Sequence, residues 1–597
     1  MKVRMVDYLM DRIYDAGVHH VFFVPGTGCM FLTDALARKK ELIDISVHHE
    51  QAAGMAALTY AKVNETLGAC VLTTGCGGTN AVTACLHAWQ DNVPCIFISG
   101  QAARNQTVRN APVPLRQMGR QEADIIAIVE SITKYAVMIN DPADVAYEIG
   151  KSIYIAQSDR KGPVWIDVPM DIQNAIIDTD EQRQFEAPEK RIIKATDDNL
   201  LYVIETLKQS ERPLLMIGQG IRMAGANERL RQLVDKWRIP VVYSRLGHDI
   251  LDTDHPLSIG MVGMLGASRA GNFAVANSDL ILCIGSRLSI DTTGYEYDKF
   301  ARAAKLIVVD IDEVEHQKNT VKIDYFIKSD AKWFIEQLLN ADIALSIDSW
   351  RDKCMHWKKN MPICMPTDHE KESIDMYYFV EALSEVLPEK AVVLSDAGNA
   401  FFTVSPTIRT CRAKKQRSIT SGGQAEMGYA LPASIGAFYA NDGGVVIAIC
   451  GDGSVMMNIQ ELETLFYTKP NVKLCIMNNN GYSSIRHLQQ SAFRGRLIGC
   501  DSSNGISFPK FEKLAEAFQL KYVRIEGSHN LEQKIADMLV LDGPVVCEVM
   551  CDTEQVFLNV STAMNSKRRI VTRPLEDQAP FLDRKVFEKE MIIDPLD

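Results

Sequence analysis

Gly451-Asp452-Gly453-Ser454 follows an apolar run, Val445 to Cys450, and precedes a helical pattern, Asn458 to Tyr467. Glycines at a strand-to-helix turn let backbone N–H groups approach a phosphate, and the helix N-terminus adds a favourable dipole. A carboxylate inside such a turn faces phosphate only across a cation, so Asp452 points to Mg²⁺ bridging carboxylate and diphosphate. The next apolar run, Val472 to Met477, ends in Asn478-Asn479-Asn480-Gly481. Consecutive parallel strands often set their C-terminal ends side by side at the ligand-binding edge. Asp452, Asn479 and a backbone carbonyl near Gly481 are therefore candidate oxygen ligands of one octahedral ion. Two ordinary turns rich in Gly and Asn are the competing reading. A lone Gly-Asp-Gly would deserve it, but an Asn triplet 27 residues from Asp452 to Asn479 argues against it.

Such turns require parallel sheets. Short β-rich apolar runs alternate with longer helical patterns along the 597 residues, an α/β signature. Charged or polar stretches at Asp178 to Lys194 and Ser349 to Lys371 mark two boundaries. Between them, strands at Pro213 to Gly218, Pro240 to Tyr243, Leu280 to Ile284 and Leu306 to Val309, with a helix near Asn227 to Trp237, read as a Rossmann-like unit. Beyond about Val560 the chain is polar, with Lys567-Arg568-Arg569 and several prolines, and reads as a tail wrapped over the body.

Lys plus Arg number 64 against 76 Asp plus Glu, a net charge of −12 without a long basic block. That composition disfavours nucleic acid and anionic membranes as partners. No apolar run approaches the roughly 20 residues of a bilayer span, and the N-terminus shows no apolar signal core. A cytoplasmic protein is expected. The fourteen cysteines are scattered without a CxxC pair, which reads as reduced core thiols and not as a zinc site or disulfide framework.

With these motifs in view, the chain resembles thiamine diphosphate (ThDP)-dependent 2-oxoacid decarboxylases and carboligases, in particular acetohydroxyacid (acetolactate) synthase catalytic subunits. The resemblance covers about residues 1 to 555. Besides the two turns above it includes VFFVPG at 21–26, HHEQAA at 48–53, GCGGTN at 75–80, QEAD at 121–124, GMLG at 263–266 and SGGQAEMGYALP at 421–432. It implies three Rossmann-like parallel-sheet domains: pyrimidine-binding (1–185), central (190–345) and diphosphate-binding (370–555), with residues 556–597 as a C-terminal tail.

Glu50 opens an Ala-rich helix after the strand Ile43 to Val47, where by itself it could be a helix N-terminal charge. The resemblance makes it the glutamate that hydrogen-bonds the cofactor's aminopyrimidine and promotes loss of the thiazolium proton. It also puts Gln121 near the reacting centre and Gly26 on the loop facing the thiazolium. Met427 becomes the apolar prop that bends the two rings together, with its N–H and the Ala425 carbonyl on the pyrimidine edge. Gly398 and Asn399 form a first diphosphate loop, with Ala400 where the family usually has histidine. Gly451, Gly453 and Ser454 complete the second, and Asp452, Asn479 and Gly481 hold Mg²⁺. FAD is a further expected cofactor, on Gly218, Gly220, Gly266, Arg287 and Asp310 or Asp312. Gly218-x-Gly220 alone is a weak dinucleotide signal, and a nucleotide-free central domain is the alternative.

Three positions depart from the pattern. Asp291 stands where an arginine would hold the second 2-oxoacid, Leu488 where a tryptophan would contact it, and Arg120 where phenylalanine is usual. The resemblance then implies a 2-oxoacid donor, most simply pyruvate, and an altered carbonyl acceptor. An aldehyde or keto-sugar near Arg116 and Arg120 fits. A true acetolactate synthase and a simple decarboxylase are the alternatives. A homodimer or homotetramer is expected, with active sites shared between subunits.

Overall fold

The computed structural model describes residues 1–189, 191–560, 562–564 and 570–596, which places the basic run at 567–569 outside the described residues. Three six-stranded parallel sheets dominate the chain. The central strands are short apolar runs buried on both faces, as helix-covered parallel sheets require, whereas edge strands such as Ile43–Ser46 are largely exposed.

The first sheet runs, edge to edge, Ile43–Ser46, His20–Phe23, Gly68–Leu72, Cys95–Gln101, Pro163–Pro169 and Tyr135–Met138. Numbered by their order along the chain, these strands lie 2-1-3-4-6-5. The third sheet, Arg417–Thr420, Val392–Ser395, Val446–Gly451, Val472–Asn478, Val545–Met550 and Lys521–Ile525, has the same order. Between them in sequence lies Ser258–Met261, Val241–Tyr243, Pro213–Ile217, Leu280–Ile284, Lys305–Asp310 and Tyr325–Lys328, ordered 3-2-1-4-5-6, the arrangement of dinucleotide-binding sheets. Each sheet thus reverses direction between its first strand and a later one. Ligands of open α/β sheets bind in the crevice at such a switch point, beyond the strands' carboxyl ends.

The outer sheets are clamped together by helices Glu50–Asn64 and Ala430–Ala440, which pack closely. Gly436 allows this approach, since a Cβ there would stand 2.0 Å from the Ala56 carbonyl oxygen. All fourteen cysteines are free and twelve are buried, as thiols acting as small core residues should be. The described part of the tail lies on the central sheet: Leu575 and Phe587 join its core, and Glu576 pairs with Arg302 at 2.5 Å. Among the described residues, no helix is long and apolar enough to cross a membrane.

Candidate active site

The third sheet's switch point lies between Val392–Ser395 and Val446–Gly451, and both expected diphosphate loops emerge there. Gly398 has φ +62°, a left-handed conformation that glycine adopts without strain. The Asn399 side-chain oxygen is buried without a partner among the described residues, an acceptor available to a ligand. Ser454 donates from its hydroxyl to Asp396 at 2.6 Å and so ties the two loops across the crevice. Gly453 is required by packing, because a Cβ would fall 2.1 Å from the Tyr482 ring.

Strand Val472–Asn478 pairs with Val446–Gly451 in register, so Asn479 and Gly481 follow it to the same edge. Asp452 accepts from the Gly481 N–H at 2.8 Å and from the Gly453 N–H at 2.7 Å. Burial pushes its carboxyl up to about 6, against the pull of the Gly481, Gly453 and Asn479 amides. The expected trio is therefore brought together.

The helix after this turn starts later than its sequence pattern suggested. A 3₁₀ turn covers Val455–Asn458, and the α-helix spans Glu461–Thr468. Asn458 is captured by tertiary partners: its side-chain amide donates to the Gly428 carbonyl at 2.8 Å and to Gln51 at 2.9 Å.

The first sheet's switch point lies between His20–Phe23 and Gly68–Leu72. Gly26 emerges from one strand and Thr73 from the other, so close that a Cβ on Gly26 would stand 2.4 Å from the Thr73 hydroxyl. Glu50 opens the helix Glu50–Asn64 and is only 9% exposed. Its Oε2 accepts from the Asn80 amide at 2.9 Å. Asn80 ends the short helix Cys76–Asn80, whose Gly77 leaves room for Glu50: a Cβ there would lie 3.1 Å from Oε1. Gln121, at φ +59°, sets its carbonyl oxygen against Gly75 at the foot of that helix. Asn80 is a positioning residue that sequence reasoning missed, although it lies inside the GCGGTN motif. Gln51 reaches the third sheet's Asn458, whereas Glu50, about 100° round the helix, turns toward Asn80.

The segment from Ser421 to Gly428 links the halves. Ala425 (φ +50°) precedes a half-buried Met427. The Ala425 carbonyl and the Met427 N–H make no hydrogen bond among the described residues, so the two groups expected at the pyrimidine edge are available.

At the central switch point, Gly220 and Gly285 almost touch, and a Cβ on Gly220 would stand 2.6 Å from the Gly285 Cα. They border a cleft lined also by Arg245, Arg287, Asp291 and Asp310. The Arg287 guanidinium has no partner among the described residues, and the Gln219 side-chain oxygen is buried without one. Gly218 supports the wall from behind, donating its N–H to Ile284 at 3.2 Å. Gly266 lies outside the residues that line this cleft. At φ +84° it donates to the Leu558 carbonyl at 2.8 Å and faces Phe402, so its glycine serves packing between domains. Asp312 is drawn off by Arg160 at 2.6 Å. Of the altered positions, Asp291 lines this cleft, Leu488 is 54% exposed on the helix Ser483–Ala492 and Arg120 is exposed, as is the nearby Arg116.

Two outer sheets of identical strand order, with site residues at their switch points and a dinucleotide-type sheet between them in sequence, define the class of enzymes built around thiamine diphosphate. Sequence comparison gives the same answer domain by domain. The thiamine pyrophosphate enzyme N-terminal TPP binding domain matches residues 3–128, the central domain 201–338 and the C-terminal TPP binding domain 396–549. The chain belongs to the thiamine pyrophosphate enzyme family and is a ThDP-dependent enzyme. It is similar to the acetolactate synthase large subunit of Porphyra purpurea, at 32% identity over 563 residues and 91% of each chain. It is similar also to a probable acetolactate synthase large subunit of Methanocaldococcus jannaschii, at 33% over 91% of this chain and 90% of that one. A chloroplastic acetolactate synthase of Nicotiana tabacum is 30% identical over 95% and 85% respectively.

Proposed function

We propose that the enzyme is a Mg²⁺-dependent carboligase that decarboxylates a 2-oxoacid, most simply pyruvate, and transfers the two-carbon acyl-anion unit to a carbonyl acceptor other than a second 2-oxoacid. The observation that carries this reading is Asp291, a carboxylate on the central cleft where the resemblance expects a cation for the acceptor's carboxylate. A fixed anion repels a second 2-oxoacid, whereas it accepts hydrogen bonds from the hydroxyls of a keto-sugar.

Bound thiamine diphosphate supplies the nucleophilic carbon and the electron sink. The protein's part is placement. Gly398, Asn399, Gly451, Gly453 and Ser454 would hold the diphosphate, and Asp452, Asn479 and the Gly481 carbonyl the Mg²⁺. The Ala425 carbonyl and Met427 N–H would fix the pyrimidine. Glu50 would hold a proton on Oε1, the oxygen Asn80 leaves unbonded, and exchange it with the ring. Gly26 and Gln121 would border the reacting carbon.

Glu50 faces Asn80 while its neighbour Gln51 faces the same chain's third sheet, which favours a site completed by a second subunit's diphosphate-binding domain. A homodimer is then the smallest active unit. The central cleft suits FAD: Gly220 and Gly285 admit close backbone approach, Arg287 offers an unpartnered cation, and Asp310 faces the same space. Flavin absorbance in the purified protein, released on denaturation, is the check.

The deciding experiment is pyruvate consumption with ThDP and Mg²⁺, all products identified by mass spectrometry, with and without aldehyde and keto-sugar acceptors. Slow turnover that accelerates with one acceptor is expected. Rapid acetolactate from pyruvate alone would establish an acetolactate synthase instead.

A further inference from the structure

Four charged or titratable side chains are buried together between the first and third sheets, and none belongs to the expected chemistry. The Lys62 ammonium donates to Asp91 Oδ2 at 2.6 Å, to His87 Nε2 at 2.7 Å and to the Thr420 carbonyl at 3.0 Å. An ammonium has three donors and no acceptor, so all three are used. Nε2 of His87 also lies 3.1 Å from Asp91 Oδ2. Nδ1 lies in a very short contact with Glu426 Oε1. The Ser421 hydroxyl donates to the other Glu426 oxygen. Asp91 in turn accepts from the Gly422 N–H at 3.0 Å and the Gly423 N–H at 2.7 Å. His87 and Asp91 have no exposed side-chain surface, and Lys62 and Glu426 keep only 6% and 7%.

Apart from the Lys62 bond to the Thr420 carbonyl, the anchors end on the segment from Ser421 to Gly428. Asp91 fixes residues 422 and 423, the Ser421 hydroxyl fixes the Ala425 N–H at 3.1 Å, His87 fixes residue 426, and Ser454 fixes the Gly428 N–H at 2.8 Å. The Ala425 carbonyl and the Met427 N–H are among the peptide groups of this segment that make no hydrogen bond among the described residues. Glu426 sits between them, so its side chain, held from the pyrimidine-binding domain of the same chain, sets where both point. Tyr429 braces the imidazole from the side, ring centres 4.7 Å apart, with its hydroxyl on Thr59 at 2.8 Å.

We propose that Lys62, His87 and Asp91 are positioning residues that preorganise the aminopyrimidine-binding segment through Glu426 and the amides of Gly422 and Gly423. Each chain's first domain thereby shapes the cofactor site of its own third domain. This rests on the assignment of Ala425 and Met427 to the pyrimidine edge. Preorganisation lowers the ordering cost of binding, so its loss appears as weaker cofactor affinity.

The test is titration calorimetry of ThDP into the apoprotein with saturating Mg²⁺, alongside the thermal midpoint of the same apoproteins. His87→Ala is expected to weaken ThDP at least tenfold. His87→Gln, which offers an oxygen to Lys62 and an N–H to Glu426, should recover most of that loss. Glu426→Ala should weaken binding like His87→Ala, and Glu426→Gln less. If His87→Ala does not fold, the two Glu426 variants decide. Binding within twofold of wild type in the alanine variants, with only a lower midpoint, would overturn the proposal and leave the cluster a structural one. Wild-type protein that failed to bind ThDP would instead remove the assignment on which it rests.

Discussion

Arg245 donates from Nε to Asp291 Oδ2 at 3.1 Å on the wall of the central cleft. Its other nitrogens are committed to the Phe401 carbonyl at 2.8 Å and the Leu265 carbonyl at 3.0 Å, and its plane lies 3.9 Å from the Phe401 ring centre. The cation is only 4% exposed, whereas Asp291 keeps 35% of its side-chain surface. The pair therefore presents an anionic oxygen, and not a cation, to whatever enters.

Asp291→Ala removes that oxygen and uncovers Arg245. Acetolactate formed from pyruvate alone is expected to rise several-fold relative to turnover with a non-acidic acceptor, with ThDP affinity unchanged. Product ratios at matched pyruvate check this. An unchanged ratio in a folded variant would remove Asp291 from acceptor choice.

Glu50→Gln keeps a group that Asn80 can approach but cannot exchange a proton. Turnover should fall by about 10²-fold or more, while ThDP binding measured by calorimetry stays close to wild type. Mixing Glu50→Gln with Asp452→Ala protein should partly restore activity through hybrid dimers carrying one intact site. No recovery despite demonstrated subunit exchange would count against a shared site.

Removal of the divalent cation should release the cofactor. Asp452→Ala and Asn479→Ala are each expected to abolish Mg²⁺-dependent ThDP binding, and chelation should do the same to wild type. The thermal midpoint of the apoprotein should move little in Asn479→Ala. Cofactor binding that persisted in excess chelator would refute the bridging role.

Asp396 is completely buried beside Ser454, and burial pushes its carboxyl up to about 8. A folded value above the unfolded one, about 3.9, favours the protonated form. The stability it lends is full below about pH 4 and is lost as pH rises through about 8. Asp396→Asn cannot ionise. Against wild type, the variant apoprotein should therefore gain thermal midpoint from about pH 4 to about pH 8 and level off above that. A difference independent of pH would mean that Asp396 does not titrate in that range.

Local pattern carried much of the site. Asp452 and Asn479 stood out because strand-end turns repeat a backbone requirement that only certain residues meet, whereas Glu50 stood out only through the family resemblance. The surroundings of Gly266 were not legible, because its left-handed φ and the Phe402 carbonyl against it depend on contacts distant in the chain. The later helix start at Glu461 was equally hidden, since Asn458 is claimed by Gln51 and Gly428, both distant in sequence.

The sequence alone determined the α/β class, the Gly-Asp-Gly turn and the family resemblance, because strand burial, glycine turns and motif order are local properties of the chain. Tertiary structure alone decided that both outer sheets share one strand order, that Asn80 holds Glu50, and that Arg245 meets Asp291. It also decided that Lys62, His87 and Asp91 grip a segment more than 300 residues away. Sheet order and buried charge pairing depend on which elements fold against one another, and no spacing along a single chain encodes that.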